Sequence, residues 1–305
     1  MPAGHEKRWL RLAIGVWAVV GATATALSAD LGSGPPPVRE EQELPRRWSL
    51  SFTPYGWLPG LNGSTTVRGR TTDIDADPFE VLDHIHGMPW MSYAEARNGR
   101  FSIYNDIVYA PLGVGGSATR SFDRTSVGAT LGVDIRETIV EAGATYELAR
   151  WWSGGASGLV PLAGYTAVDL LAGARYWRQD VDINLALTGT LDVAGLTLSR
   201  TRAIARAGTV DWVDPLVGLR LRHQLAPGQE LVLRGDVGGF DAGSQFSWNA
   251  LAAYSFQIGT YYGVTYSGLL GYRALSVDFE KGSGAGRYEF DVIQHGPLVG
   301  LTVSF

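Results

Sequence analysis

Apolar and polar residues alternate with a period of two along most of the chain after residue 47. Between 212 and 222, Asp214 and Arg220 occupy even positions, whereas Val213 and Val217 occupy odd ones. The same alternation recurs at 138–148, 231–237 and 246–256. Because successive side chains of a β-strand point to opposite faces, this pattern predicts strands with one apolar and one polar face.

We predict an all-β protein with ten antiparallel strands. They span roughly 48–59, 88–98, 100–112, 130–149, 163–180, 211–224, 229–240, 244–257, 261–280 and 286–305. Several reach the length of about ten residues that a tilted membrane-crossing strand needs. A soluble β-sandwich also alternates, with its apolar face inside. The long strands favour the inverted case, a closed transmembrane barrel in which every backbone group is paired.

Aromatic residues near the predicted strand ends support the barrel, because membrane barrels carry aromatic girdles at both interfaces. These residues are Trp48, Tyr55, Trp57, Trp151, Trp152, Trp248, Tyr261 and Tyr262. The chain also finishes on an alternating strand that ends at Phe305. Outer-membrane barrels commonly end this way, so we expect two partners, outer-membrane lipid and the assembly machinery that reads this strand.

Connection lengths predict the topology. Short connections at 98–99, 226–228 and 258–260 alternate with longer loops, so we place them on the periplasmic side. With both termini in the periplasm the strand number is even. Ten strands fit, and twelve result if 61–76 or 185–206 forms an additional hairpin that enters the membrane.

The first extracellular loop is predicted to contain a short helix between Asp77 and His86. Phe79, Leu82 and Ile85 share one face of it, and Pro78 lies near its start. The pattern leaves open whether this helix covers the mouth of the barrel or lies outside it.

The N-terminus resembles an export signal. A basic start is followed by an apolar run at 12–26 and by small residues up to Ala29, which predicts a signal peptide at 1–29. Residues 30–47 carry three prolines in a row and several charges, and we expect a disordered periplasmic linker. The barrel domain would then occupy 48–305, and the protein would reside in the bacterial outer membrane.

Charge and cysteine content exclude several functions. The full chain has a formal net charge of −5, with 25 basic and 30 acidic residues. Removing residues 1–29 takes away three bases and one acid, which leaves 22 against 29 and a net charge of −7. This charge argues against a nucleic-acid partner. The absence of cysteine excludes disulfides and thiolate catalysis.

Five segments resemble a group of uncharacterised proteobacterial outer-membrane β-barrel proteins. They are Thr53–Gly60, Trp212–Pro215, Gly235–Phe240, Gly271–Leu275 and His295–Leu298. The resemblance extends over nearly all of 48–305, apart from 113–126 and 185–206, which are individual to this chain. It implies a barrel that is located in the outer membrane, and it implies no particular activity.

The polar faces of the strands predict a charged lumen with six acidic and six basic residues. They are Glu95, Arg97, Asp106, Glu141, Asp169, Arg175, Asp214, Arg220, Arg222, Arg234, Asp236 and Arg273. Isolated charges at this depth are costly, so these groups must pair with one another or meet water. Two interpretations follow, a plug of ion pairs in a narrow barrel and a narrow polar pathway for ions or small solutes.

An outer-membrane hydrolase acting on lipid or peptide is the alternative function, because such enzymes use histidine with an acid or a serine. The candidate histidines are His84, His86, His223 and His295, of which we expect the last to pack in the lumen or at a bulge. No Gly-x-Ser-x-Gly motif occurs. The aspartates at 73, 75 and 77 fail the calcium-loop pattern, since Pro78 and His84 stand where glycine and glutamate are required. We therefore expect a non-enzymatic protein with no cofactor, no metal site and no catalytic residues; its oligomeric state is left open.

Overall fold

The computed structural model describes residues 48–67, 70–122, 125–153, 164–193 and 196–305. The predicted signal peptide and linker, 1–29 and 30–47, lie outside these ranges. The strands in the described part are β1 (Ser49–Trp57), β2 (Gly60–Val67), β3 (Arg70–Ala76), β4 (Trp90–Asn98), β5 (Phe101–Phe122), β6 (Thr125–Ser153), β7 (Gly164–Val193), β8 (Leu196–Ala226), β9 (Gln229–Gly239), β10 (Phe246–Tyr261), β11 (Val264–Lys281) and β12 (Tyr288–Ser304). The helix α1 spans Pro78–Asp83, and a 3₁₀ turn spans Gly284–Gly286.

Ten of these strands form a closed antiparallel barrel. The order runs from β1 to β4 and then through consecutive strands to β12, which pairs back onto β1. The other two strands, β2 and β3, lie outside the closure and extend the sheet from β12. The prediction of an all-β, ten-stranded antiparallel barrel with a short helix in its first long loop is confirmed.

Neither of the two segments proposed as additional hairpins enlarges the barrel. Residues 61–76 do form a hairpin, β2–β3, but this hairpin pairs with the barrel only through β12. Most of 185–206 continues β7 and β8 in register beyond the barrel. Among the described residues, no helix is long and apolar enough to span a membrane.

The strands are strongly staggered around the barrel. Ser51 pairs with Ser304 of β12 on one side. The paired residues can also be traced from Ser51 around the barrel in the other direction, strand by strand. This path passes through Glu95 of β4 and Gly173 of β7 and reaches β12 at Val292. The circuit is therefore displaced by 12 residues, 304 minus 292. A stagger of this kind tilts strands by about 35–45° from the barrel axis.

The two faces of the barrel wall differ sharply in polarity. Large apolar side chains on the outer face are exposed and form what we term the outer belt. Its members are Leu50, Phe52, Phe101, Ile103, Tyr146, Leu148, Leu170, Val213, Val217, Leu219, Leu233, Val237, Phe246, Leu270, Tyr272, Val299 and Leu301. The inner face carries most of the buried charged side chains. This distribution is the reverse of that of a water-soluble β-sandwich.

The two ends of the barrel are also different. At the turn end, tight connections join β4 to β5, β8 to β9 and β10 to β11. At the opposite end, the hairpin end, β5, β6, β7 and β8 project well beyond their neighbours. There the β5–β8 sheet faces a second sheet made of β11, β12, β2 and β3.

Three expectations about individual segments were wrong. Residues 113–126 lie between the predicted strands 100–112 and 130–149 and were expected to form a loop, but most of them continue β5 and β6 as a regular ladder. Tyr55 and Trp57 were assigned to an aromatic girdle, but they point inward on β1, and Trp57 is only 2% exposed. His295 was expected to pack in the lumen or at a bulge. Its neighbours on either side in β12 are buried, whereas its own ring lies on the outer face beside Tyr272.

Candidate functional site: the charged lumen

A first group of ion pairs lies near the turn end, and we term it the turn-end cluster. Its members are Glu95, Arg97, Glu147, Arg150, Asp169, Arg220 and Arg222. Asp169 is fully buried at its centre. It accepts hydrogen bonds from Nε of Arg220 at 2.9 Å and from Nε and Nη2 of Arg222 at 2.9 and 3.0 Å.

Glu95 completes this cluster from the other side of the barrel. It lies on β4, whereas Asp169 and Arg220 lie on β7 and β8. Its carboxylate is 2.6 Å from Nη1 of Arg220 and 2.9 Å from Nη2 of Arg97. The guanidinium of Arg220 therefore joins carboxylates from two strands that do not pair with each other, which ties the barrel wall together across its interior.

A second group, the central cluster, lies further from the turn end. Its members are Asp106, Glu141, Arg175, Arg234, Asp236, Asn249 and Arg273. Arg175 is fully buried and donates from Nη2 to Glu141 and to Asp236, each at 2.7 Å. Arg234 contacts the same two carboxylates. The two arginines and two carboxylates thus form a closed square of charge-assisted hydrogen bonds.

Arg273 links the central cluster to β1, β5 and β10. Its Nη1 lies 2.8 Å from the Asp106 carboxylate, and its Nε donates to Oδ1 of Asn249 at 3.0 Å. The guanidinium also lies 5.0 Å from the ring centroid of Trp57, within the range of a cation–π contact. The central cluster contains three acids and three bases, so it is electrically neutral as a unit.

Apolar side chains are buried inside the hairpin end, and we term this group the aromatic seam. Trp212 stacks on Trp177 with ring centroids 5.6 Å apart and on Phe279 with centroids 3.9 Å apart. Phe290, Val277, Val292, Leu275 and Ile139 are buried in the same core. Since Trp177 and Trp212 belong to one sheet and Phe279 to the other, the seam joins the two facing sheets.

Hydrogen bonds reinforce the aromatic seam. Gln294 of β12 donates from Nε2 to both carboxylate oxygens of Glu137 on β6, at 2.8 and 3.0 Å. The hydroxyl of Tyr288 on β12 donates to the side-chain oxygen of Gln179 on β7. These contacts cross the interior between strands that are not neighbours in the sheet. They leave the two walls in direct side-chain contact at this level.

The structure brings eleven of the twelve predicted lumen residues into these two clusters. Nine of the twelve are buried, and Glu95, Arg97 and Arg234 are half-buried. Asp214 is the exception to the clustering. It is fully buried, but it accepts from the backbone N–H of Ser244 at 2.7 Å and from the Trp212 indole at 3.4 Å. Asp214 therefore stabilises the turn between β9 and β10 and is not part of an ion pair in either cluster.

Sequence reasoning missed several members of the site. They are Tyr55, Tyr93, Tyr104, Glu137, Glu147, Gln179, Asn249, Gln294 and the whole aromatic seam. Alternation alone could have found Glu137 and Glu147, because they share a face with Glu141. The seam gave no such signal, since large apolar residues on an inward face look the same in sequence as lipid-facing ones.

The histidines occupy separate places. Nδ1 of His223 lies 2.8 Å from the Thr166 hydroxyl. His295 contacts the Tyr272 hydroxyl at 2.7 Å and the Asn62 side-chain oxygen at 3.0 Å, on the outer face. Within the described ranges, no three His, Asp or Glu side chains are grouped so that they could hold a metal ion.

The geometry therefore defines a ten-stranded β-barrel with an apolar exterior and an interior that holds buried ion pairs and stacked aromatic rings. No protein-family model and no curated protein matches the chain. Among solved structures, a FadL homologue of Pseudomonas aeruginosa is similar with a TM-score of 0.24 and 9% identity, covering 85% of this chain and 89% of that one. A deletion mutant of TodX, a monoaromatic hydrocarbon channel, has a TM-score of 0.24 and 9% identity, with 86% and 91% covered. OccK8 (OprE) of Pseudomonas aeruginosa has a TM-score of 0.15 and 10% identity, with 85% and 98% covered. TM-scores this low give no basis for transferring an activity.

Proposed function

We propose that the protein is an outer-membrane β-barrel whose lumen is closed, so that it serves a structural role and conducts nothing in its resting form. The observation that carries this proposal is the inverted distribution of polarity, with the outer belt exposed and Arg175, Asp169 and Asp214 fully buried. An apolar belt around a closed barrel matches the hydrocarbon core of a membrane, because no backbone group is left unpaired towards lipid.

The two ends of the barrel fit this orientation. Outer-membrane barrels have short periplasmic turns and longer extracellular loops, so the turn end would face the periplasm and the hairpin end the exterior. Phe305 then lies at the periplasmic boundary, where the assembly machinery would meet the last strand. The aromatic seam would close the lumen on the extracellular side, and the two charged clusters would fill it at membrane depth.

The small size of the barrel and the ion pairs across its lumen support the closed state. An eight-stranded barrel is just wide enough for side chains to fill, and ten strands enclose only slightly more. The large arginine, tyrosine and tryptophan side chains of this chain occupy the additional space. A narrow pathway would require several cross-barrel ion pairs to separate together, since each guanidinium of Arg175, Arg220 and Arg234 binds at least two carboxylates.

Cell fractionation tests the location. We expect the full-length chain, expressed in a Gram-negative host, to sediment with the outer membrane and to resist extraction by alkaline carbonate. Detergent should then release it as a folded barrel that runs faster on an unheated gel than on a heated one. Release in soluble form without detergent would contradict the proposal and favour a periplasmic β-sandwich.

A further inference from the structure

The first loop at the hairpin end carries apolar side chains that nothing in the described chain covers. Phe79 is 75% exposed, Leu82 is 45% exposed and Met88 is 82% exposed. None of the six residues of α1 is buried. A group of exposed apolar side chains on a folded loop indicates an interaction surface, whereas apolar residues scattered singly over a surface need no such explanation.

The helix is held rigidly despite its exposure. The Asp77 side chain accepts from the backbone N–H groups of Phe79 and Glu80, and the Glu80 side chain accepts from the N–H of Asp77. This reciprocal capping box fixes the first turn. Phe79 and Leu82 are three residues apart and so lie on the same side of the helix. The apolar face is therefore presented in a defined direction.

Backbone pairing places the loop along the outer rim of the barrel. The N–H of His86 donates to the carbonyl of Pro111, and the N–H of Gly113 donates to the carbonyl of His84. Gly113 has the outward orientation in β5, since Tyr104, Asp106 and Val108 alternate with it as inward residues. A Cβ at Gly113 would come within 2.6 Å of the His86 ring. The ring of His86 therefore lies on the outside of the wall, not over the lumen.

The loop leads into β4 on the outer face of the barrel. Trp90, the first residue of β4, is 50% exposed and alternates with the inward residues Met91 and Tyr93, so it points outward. Met88 precedes it by two residues. Tryptophan is favoured where an apolar belt meets the membrane interface. The exposed loop therefore leads into β4 at an outward-facing tryptophan, as expected for a segment that meets the membrane interface.

We propose that α1 is an interfacial membrane anchor, in which Phe79, Leu82 and Met88 insert into the outer leaflet beside the barrel. The occupant of this surface is lipid, at the boundary between headgroups and acyl chains, as for amphipathic helices that lie on a membrane. The inference rests on the membrane location proposed above. It also implies that α1 does not cover the mouth, so closure is left to the aromatic seam.

The absence of cysteine allows a direct test with single-cysteine variants. Phe79→Cys and Met88→Cys would each carry an environment-sensitive fluorophore, in vesicles of phosphatidylcholine with brominated acyl chains. Both positions are highly exposed, so these changes leave the fold intact. Leu270→Cys, within the outer belt, is the lipid-facing control, and Ser283→Cys, in the exposed loop after β11, is the aqueous control.

We expect the probes at 79 and 88 to be quenched by the brominated lipid as strongly as the probe at 270, with blue-shifted emission. Quenching no stronger than at 283, while the probe at 270 is quenched, would overturn the anchor and leave the membrane location intact. A probe at 270 that escapes quenching in folded protein would instead overturn the membrane location, and the anchor with it.

Discussion

Replacing Arg175 with alanine is expected to lower the free energy of unfolding by about 3–5 kcal/mol, the range seen when one partner of a buried ion pair is removed. The loss is large because Glu141 and Asp236 both depend on this guanidinium, at 2.7 Å each. Arg234 contacts the same two carboxylates but cannot neutralise both. Denaturant unfolding of the detergent-folded barrel, followed by tryptophan fluorescence, measures the change.

Arg178→Ala is the matched control for this variant. Arg178 lies three residues further along β7, beyond the outer belt, and pairs with Asp180 at 2.9 Å. Hydrogen bonds from Arg178 and Thr209 hold the pKa of Asp180 below its usual range. Both partners are solvated, so removing this pair should change the free energy of unfolding by about 0–1 kcal/mol. Equal effects of the two substitutions would show that the central cluster does not hold the barrel together.

Trp212→Ala is expected to be comparably destabilising, by about 3–5 kcal/mol, because it removes the middle ring of the aromatic seam. The indole lies between Trp177 and Phe279 and also donates to Asp214. Its loss would leave a cavity between the two facing sheets at the hairpin end. The same unfolding measurement applies, with the midpoint expected to fall and the slope to stay unchanged.

Trp151→Ala serves as the control for the seam. Trp151 is 56% exposed on the outer face near the turn end, so its truncation leaves no interior cavity. We expect a clearly smaller loss of stability than for Trp212→Ala. If Trp212→Ala were no more harmful than Trp151→Ala, the seam would not be the closure that we infer.

The periodicity of the sequence is sufficient to predict the barrel and most of its lining. A period of two assigns each residue to a face, and charges on the inward face must be buried once the apolar face is turned outward. Asp169, Arg175 and Asp236 are therefore assigned to the interior by their positions in the sequence alone. The alternation of short and long connections along the chain makes the strand number even, and it leaves ten or twelve strands open.

Periodicity could not predict which charges pair. The register is displaced by 12 residues around the barrel, so partners such as Glu95 and Arg220 meet across strands far apart in sequence. Nor could it tell the two ends of the lumen apart. Trp57 and Trp177 face inward, although aromatic residues near strand ends are typical of an interfacial girdle. The position of Trp177 follows from the packing of the two facing sheets, and Trp57 on β1 packs beside the guanidinium of Arg273.

The orientation of the His295 side chain is a further feature that the sequence pattern did not predict. It precedes Gly296 and Pro297, and we expected it to pack in the lumen or at a bulge. Strand β12 instead keeps its pairing with β11 through this segment, so Gln294 and Gly296 point inward and His295 points outward. One additional residue in this segment of β12 would have turned the following side chains to the opposite face of the strand.

Single-channel recording tests the central claim most directly. The folded protein, verified by its heat-dependent gel mobility, would be inserted into a planar lipid bilayer at moderate applied voltage. The closed lumen that we propose predicts no discrete conductance steps, because conduction would require the ion pairs of the two charged clusters and the rings of the aromatic seam to separate. Reproducible steps of constant size from the wild-type barrel would contradict the account and would make Arg175, Arg220 and Asp236 part of a conducting pathway.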